Sequence, residues 1–336
     1  MKKLLFVATV LSVSALLFVG CNKKNKTEQV APAAQAANRG IKIGYAQVGH
    51  EAAWREANTT SFKTTFTSEN GYTLLFVDAD GNQDVQIAAI RDFIAQNVDY
   101  IVVAPVVETG WDEVLQEAKA AAIPVILSDR QMQVSDESLY LCWVGGNFLK
   151  EGRDGVKWLE SYLEGKNLAS EEINIVDLQG TIGASAQVGR TQGIEEGIAS
   201  HPNWTLIAQQ SGDFRTDGGK IAMQDIITDI GIDNIDVVFA ENDDMALGAI
   251  EAIKSAGKKP GEDIIIITFD AGHEAFVRMI AGEINCACEC NPLHGPRVAE
   301  IINALENGGT VEKIQYVDEA VFDQSNAAEI LPTRLY

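Results

Sequence analysis

The 336-residue sequence predicts an α/β fold built from two doubly wound, parallel-sheet domains. Short apolar segments of strand length recur about every 25 residues, and amphipathic segments typical of helices separate them. The alternation begins a second time after residues 144–147. Strands that are apolar throughout, with helices between them, indicate βαβ units in which both faces of a parallel sheet are covered. Two such runs of units predict two domains.

The first half of the pattern contains four predicted strands. Two amphipathic segments lie among them, Asp84–Gln96, which places three isoleucines on one face, and Trp111–Ala122. Asp84 is the expected N-cap of the first of these helices. The predicted strands are Ile41–Gln47, Tyr72–Val77, Tyr100–Ala104 and Val125–Ser128.

The second half repeats the alternation with five apolar segments. Gly257–Gly261, which contains a proline, predicts a helix end followed by a turn. A further helix after Cys290 extends to about Leu305 and is expected to return to the first half. The predicted helices are Arg190–Ala199, Lys220–Ile230 and Met245–Ala256, and the predicted strands are Ile173–Asp177, Thr205–Gln209, Val237–Ala240, Ile264–Phe269 and Ile284–Cys290.

The first 20 residues have the pattern of a signal peptide. Two lysines precede an apolar run, Leu4–Val19, which is too short to span a membrane and ends at Gly20-Cys21. A small residue followed by cysteine at this place resembles a bacterial lipoprotein signal, so Cys21 is the predicted site of lipid attachment. The alternative is ordinary cleavage beside an incidental cysteine. Residues 22–38 lack apolar periodicity and predict a flexible tether.

Composition and charge exclude some classes of partner. Hydrophobic residues make up 46% and charged residues 22% of the chain, which is enough apolar material for a core. The net charge of −22 argues against binding to nucleic acid or anionic membranes, because both require clustered Lys and Arg. Cys286, Cys288 and Cys290 alternate along the last predicted strand, so they are expected to point to one face as small buried side chains. A metal site is the weaker interpretation of these cysteines.

Polar residues follow several predicted strands at the place where open α/β sheets bind ligands, outside the carboxyl ends of the strands. Carboxylates accept hydroxyl hydrogens, guanidinium groups donate in a fork, and aromatic faces can cover the C–H groups of a sugar ring. An isolated Asp-Arg pair would more simply be a surface ion pair, and an isolated aromatic residue could be core packing, but the convergence of these residues from both halves predicts a site for a small sugar. These residues are Asp129, Arg130, Arg190, Asn242 and Asp270, with Trp54 and Phe214 as the aromatic walls.

Motifs for cofactors and metals are missing. The sequence has no dinucleotide-binding glycine loop, no Walker A loop, no His-Glu-x-x-His and no Gly-x-Ser-x-Gly. Its four histidines are scattered without metal-ligand spacing. Asp78–Asp84 briefly matches a calcium loop, but Ala89 stands where the loop needs its final glutamate. We therefore expect no cofactor and no metal.

Five stretches resemble the periplasmic sugar-binding proteins of the ribose and galactose type, and more specifically their galactofuranose-binding branch. The resemblance covers the chain from about Ile41 to the C-terminus. The five stretches are Gln47–Arg55, Ala104–Trp111, Leu178–Ser185, Gln210–Phe214 and Glu241–Met245.

The resemblance implies the type I periplasmic binding protein fold, in which three crossovers near Asn147, Asn291 and Gln315 form a hinge. It divides the chain into a signal peptide (1–20), a lipidated cysteine with its tether (21–40), an N-terminal domain (41–146 plus 291–314) and a C-terminal domain (147–290 plus 315–336). The implied ligand contacts are Glu51, Trp54, Arg55, Asp129, Arg130, Arg190, Phe214, Asn242 and Asp270.

The resemblance also implies a function. It indicates an exported, lipid-anchored monomer that lies in the periplasm or on the outer face of the cytoplasmic membrane. There it would close on a monosaccharide, galactofuranose first, and deliver it to an ABC transporter permease, without catalysis or cofactor. His50 and the Cys290-Asn291 pair depart from the family pattern, which leaves the choice of sugar open.

Other functions fit less well. A nucleoside-binding lipoprotein and a sugar sensor for a chemoreceptor remain within the same fold. An exported glycosidase could use Asp129 and Asp270 as acid and base, but the arginine beside each carboxylate is expected to hold it ionised. A regulator of the lac-repressor type would need a helix-turn-helix where the signal peptide stands.

Overall fold

Two six-stranded sheets organise the protein in the computed structural model, which describes residues 40–336. The predicted signal peptide, the lipid attachment at Cys21 and all but the last residue of the tether lie outside the described residues. The strands are β1 (Ile41–Gln47), β2 (Tyr72–Asp78), β3 (Tyr100–Val103), β4 (Val125–Ser128), β5 (Cys142–Gly145), β6 (Ile173–Gln179), β7 (Trp204–Ser211), β8 (Val237–Ala240), β9 (Ile265–Asp270), β10 (Cys286–Glu289), β11 (Ile314–Tyr316) and β12 (Val321–Asp323).

Ten helices accompany these strands in the described part of the chain. The helices are α1 (Ala53–Thr65), α2 (Gln83–Ala95), α3 (Asp112–Ala120), α4 (Phe148–Gly165), α5 (Ser185–Ala199), α6 (Thr216–Ile230), α7 (Asp243–Ser255), α8 (His273–Ile280), α9 (His294–Glu306) and α10 (Ala327–Ile330). Within residues 40–336, none of them combines the length and the apolar character that crossing a membrane requires.

The order of the strands confirms the predicted doubly wound α/β class. The first sheet has the order β11-β5-β4-β3-β1-β2 and is parallel throughout. The second sheet has the order β12-β10-β9-β8-β6-β7 and is parallel except for the edge pair β10–β12. In each sheet the strand order reverses beside its first strand, β1 or β6. That switch point is where open α/β sheets bind ligands.

Both faces of each sheet are buried under helices, which explains the apolar strands. In β3, for example, Ile101 and Val103 belong to the cluster that includes residues of α2 and α3, whereas Val102 belongs to the cluster with α1 and α9. In the second sheet, α4 and α5 cover one face and α6, α7 and α8 the other. Alternate residues of a strand point to opposite faces, so a strand covered on both sides is predominantly apolar.

Every strand predicted from the sequence is present, with ends shifted by at most two residues. The prediction missed β5, β11 and β12, which have only three or four residues, and also the helices α1, α4, α8 and α10. The expected N-cap of α2 was wrong. Asn82, not Asp84, caps this helix, because its side chain accepts hydrogen bonds from the backbone N–H groups of Asp84 and Val85.

The chain passes between the sheets three times. It leaves the first sheet after Gly145, since α4 packs against α5 and β10, and it returns before α9, which packs against α1. The third crossing lies at residues 317–320, between β11 and β12. The expected crossing at Gln315 was therefore too early by a few residues, because Gln315 still pairs with Val144 in the first sheet.

The three alternating cysteines are buried, as expected, but only two of them lie on β10. Cys286 and Cys288 lie on β10 and pack into the same apolar cluster, but β10 ends at Glu289. Cys290 lies beyond the strand, in a different cluster, and borders the cavity described below. All three are buried free thiols, as is Cys142.

Candidate functional site

The residues expected to contact ligand surround one cavity between the carboxyl ends of the two sheets. The space between its walls that no protein atom fills is about 310 Å³, part of which is open to solvent. The structure brings all nine expected residues to its wall. They are Glu51, Trp54, Arg55, Asp129, Arg130, Arg190, Phe214, Asn242 and Asp270, and three further residues, Ala52, Ala186 and Cys290, complete the lining.

Two arginines and two carboxylates form the wall on the side of the first sheet. Arg55 lies on α1 and contacts Asp129, which directly follows β4. Oε1 of Glu51 accepts hydrogen bonds from Nε of Arg55 at 3.1 Å and from Nη2 of Arg130 at 2.7 Å. The Arg55 and Arg130 side chains are only 2% and 3% exposed. Such a desolvated cluster holds its donors and acceptors in fixed directions, as recognition of several hydroxyl groups requires.

Arg190 organises the opposite wall. It lies on α5, where Nε donates to Glu151 Oε2 at 2.8 Å, Nη1 donates to the carbonyl of Glu241 and Nη2 lies 3.4 Å from Oδ1 of Asp270. Three elements, α4, β8 and β9, thus fix the guanidinium group. Its partner Asp270, at the end of β9, borders the cavity with it.

Trp54 and Phe214 supply the aromatic walls. Nε1 of Trp54 donates to the carbonyl of Cys290, so the first domain touches the segment that follows β10. Phe214 adopts a positive φ of 61° and packs closely against Gly180. A Cβ atom at position 180 would lie 1.9 Å from the Phe214 ring, so this position requires glycine. The arrangement agrees with the expected role of both rings as cavity walls.

Asn242 is more constrained than the sequence indicates. It is the N-cap of α7, and its Oδ1 accepts from the backbone N–H of Met245 at 2.9 Å. Its Nδ2 donates to the carbonyl of Phe214, also at 2.9 Å. One N–H and one lone pair remain for a ligand. Asn242 therefore positions Phe214 as well as lining the cavity.

The two wall aspartates differ in their protonation behaviour. Burial alone would raise the pKa of Asp129, but the charges of Arg55 and Arg130 outweigh it and hold this pKa below its ordinary value. Burial raises the pKa of Asp270 well above its ordinary value, and Arg190 only partly offsets this, since Asp243 and Glu151 add negative charge nearby. Burial therefore opposes the expectation that its arginine keeps Asp270 ionised. A neutral Asp270 would be a hydrogen-bond donor as well as an acceptor.

Sequence reasoning missed the carboxylates that support the wall from behind. Glu151 on α4 and Glu241 after β8 are both buried. Glu151 accepts a hydrogen bond from Arg190, and the side chain of Glu241 accepts one from Thr191, the next residue along the chain. The sequence did not indicate Glu151 as part of the site, because α4, the helix that carries it, was not predicted.

One group of metal-binding side-chain types occurs among the described residues. Glu151, Cys290 and Glu319 place their ligand atoms within 4.8 Å of one another. The guanidinium of Arg190 already neutralises Glu151 at 2.8 Å and opposes a second cation beside it. We therefore do not assign a metal to this group.

The domains touch each other around the cavity. The backbone N–H of Ala53 donates to Asp244 Oδ2 at 3.0 Å, and that of Gln131 donates to Ser185 Oγ at 2.8 Å. A third bond joins Glu108 N–H to the carbonyl of Gly183 at 3.1 Å. With the nine wall residues mostly buried, the described arrangement is that of a closed cleft.

Comparison with known proteins places the chain in a family. A family model described as a periplasmic binding protein domain matches residues 43–310. The galactofuranose-binding protein of Escherichia coli (strain K12) is 40% identical over 293 residues, which are 87% of this chain and 90% of that protein.

Two solved structures are similar over most of their length. A Mycobacterium smegmatis protein in complex with β-D-fucofuranose is 44% identical, with a TM-score of 0.83, over 87% of this chain and 94% of its own. The binding component of the arabinose ABC transporter from Shewanella sp. ANA-3, bound to α- and β-L-arabinofuranose, is 38% identical. Its TM-score is also 0.83, over 88% of this chain and 96% of its own. These findings confirm the resemblance stated from the sequence, and the chain belongs to the periplasmic binding protein family.

Proposed function

We propose that this protein binds one monosaccharide in furanose form in the cleft between its two domains and delivers it to an ABC importer. The observation that carries the proposal is the cavity between the carboxyl ends of the two sheets, whose wall holds six charged and two aromatic side chains that can serve as hydroxyl and ring-face partners. Relatives that bind galactofuranose, fucofuranose and arabinofuranose support the furanose form.

Galactofuranose is the first candidate ligand. A furanose ring carries its exocyclic diol to one side, and Glu51 and Arg55 form an acceptor–donor pair that fits such a diol. Asp129 and Asp270 face the ring from opposite domains, and Trp54 with Phe214 covers its apolar faces. Binding in the micromolar range, about −8 kcal/mol, suits a protein that must also release its ligand.

Calorimetric titration tests this assignment. Galactose mixtures that contain the furanose form should bind more tightly than ribose or glucose, and nucleosides should not bind. Tighter binding of ribose would reject the furanose preference, and tighter binding of a nucleoside would reject the sugar class. Because Asp129 and Asp270 could be imagined as a catalytic pair, galactofuranosides should also be incubated with the protein. We expect no release of free sugar.

We also propose that the protein is exported and held at the membrane surface by a lipid on Cys21. The support is the apolar run that ends at Gly20-Cys21 and the polar stretch that follows it. The Cys21→Ser protein should be unprocessed or released in soluble form, because two or more acyl chains are needed for firm anchoring. Metabolic labelling with a fatty acid checks this prediction. Label that still enters the Cys21→Ser protein would contradict it.

A further inference from the structure

One side chain joins all three crossings between the domains. Glu319 lies in the third crossing, and its Oε2 accepts a hydrogen bond from the backbone N–H of Asn147 in the first crossing at 3.3 Å. The backbone N–H of Asn291, in the second crossing, lies close enough to this carboxyl group to lower its pKa. The three segments that must bend when the cleft opens are therefore held together at Glu319.

The remaining oxygen of Glu319 faces a second carboxyl group. Oε1 of Glu319 and Oε1 of Glu151 are shielded from water, and neither has an N–H or O–H partner among the described residues. Each of these two glutamates places a carboxylate oxygen within 4.8 Å of the other's and of the Cys290 sulfur, which is a weak donor at most. A Cβ atom at Gly146 would lie only 2.3 and 2.5 Å from the two oxygens, so glycine at this position leaves the space in which they meet.

Two carboxylates this close, away from water, cannot both remain ionised. A proton on one of them removes the repulsion and supplies the missing hydrogen-bond donor. Glu151 already accepts from Arg190 through its other oxygen at 2.8 Å, which favours its ionised form, so the proton belongs on Glu319. We propose that Glu319 is a positioning residue that, as a neutral acid hydrogen-bonded to Glu151, ties the hinge to Arg190 in the ligand site.

The charges around the pair agree with this assignment. Burial, followed by the charge of Glu151, raises the pKa of Glu319 to about 9. Burial also raises the pKa of the Cys290 thiol, so it adds no charge at neutral pH. The other charged groups that face the pair are Arg190, Lys150, Asp129 and Asp270.

The consequence is a defined pH dependence. Because the folded protein holds a proton that an unfolded Glu319 would release near its ordinary pKa, the stabilisation is complete below that value. It is lost as the pH rises towards about 9, the pKa in the folded protein. Asp177 and Asp243, whose pKa values burial raises to about 7, titrate in the same range. Both aspartates are present in every Glu319 variant, so the difference between the wild type and a Glu319 variant reports the contribution of Glu319 alone.

The Glu319→Gln protein tests the proposal, because a glutamine amide keeps the shape and donates a hydrogen bond at every pH. Asp318→Asn is the matched control, since it removes one negative charge from the adjacent, exposed position. The melting temperature of each ligand-free protein is measured from pH 6 to pH 9. Over this range the melting temperatures of the wild-type and Asp318→Asn proteins should fall by at least about 3 °C more than that of Glu319→Gln. Glu319→Ala should melt lower than Glu319→Gln at every pH.

Sugar affinity supplies the second readout, which rests on the proposed function. Affinity of the wild type for the galactose mixture should fall by up to about tenfold per pH unit above pH 7, and Glu319→Gln should show a flatter profile. Parallel melting profiles for wild type and Glu319→Gln would overturn the proposal, as would a stoichiometric metal ion in the purified protein. If no sugar binds but the melting profiles differ, the proposed function fails and the hinge assignment stands.

Discussion

Replacing Arg190 by alanine should weaken sugar binding by roughly a hundredfold or more, the largest effect expected of any single change. The guanidinium is 3% exposed and contacts Glu151, Glu241 and Asp270, so its loss leaves buried carboxyl groups without their partner. Breaking a buried ion pair in this way costs about 3–5 kcal/mol. Calorimetric titration with the galactose mixture measures the loss.

Two further variants separate binding from folding. Arg153→Ala removes an arginine that is 54% exposed, from the neighbouring helix α4, and should leave affinity unchanged. Arg190→Lys keeps the positive charge but lacks the planar set of guanidinium donors, so it should recover only part of the affinity. Binding by a folded Arg190→Ala protein with wild-type affinity would show that the site has been misplaced.

The Asp129→Asn protein should bind sugar about 10- to 100-fold more weakly. Asparagine retains the shape of the side chain, but it removes the charge that compensates Arg55, which is almost fully buried, and one of the two acceptor oxygens offered to hydroxyl groups. Asp136→Asn is the control, because Asp136 is an exposed aspartate paired with Lys119. An Asp129→Asn protein with unchanged affinity would remove this residue from the site.

The pH dependence of the Asp129 contribution also follows from its surroundings. Since its pKa is lowered in the folded protein, the carboxylate is ionised from the ordinary aspartate pKa upwards. Its contribution should be constant above that value, through neutral pH, and be lost as the pH falls through the lowered pKa. This profile is opposite in sign to that expected for Glu319, so the two groups can be distinguished in one series of titrations.

The sequence predicts most of the fold because the strands are covered on both faces. A run such as Tyr100–Val103 has no polar position, and its length and spacing alone identify it as a central parallel strand. The edge strand β11 could not be found in this way, since Ile314 and Tyr316 are exposed and only Gln315 is buried. Its pairing with β5 depends on distant parts of the chain. For the same reason the third crossing was placed too early.

The candidate site was equally predictable where a residue follows a strand. Asp129 directly follows β4 and Asp270 ends β9, and the topology alone brings them to the same edge of their sheets. The supporting group Glu151 lies in the first turn of a helix, where an acidic residue is ordinary, and only the fold shows that it meets Arg190. The raised pKa of Asp270 could not be predicted either, because it depends on Asp243 and Glu151 from other elements.

The central claim is that one sugar is held between two domains that close over it. Contacts such as that from Ala53 N–H to Asp244 can form only when the cleft is shut, and wall residues from both domains can reach one ligand only in that state. Small-angle scattering of the Cys21→Ser protein, with and without saturating sugar, measures this closure directly. The radius of gyration should fall when the bound sugar is added and stay unchanged with a sugar that does not bind. A bound sugar that produces no compaction would contradict the account.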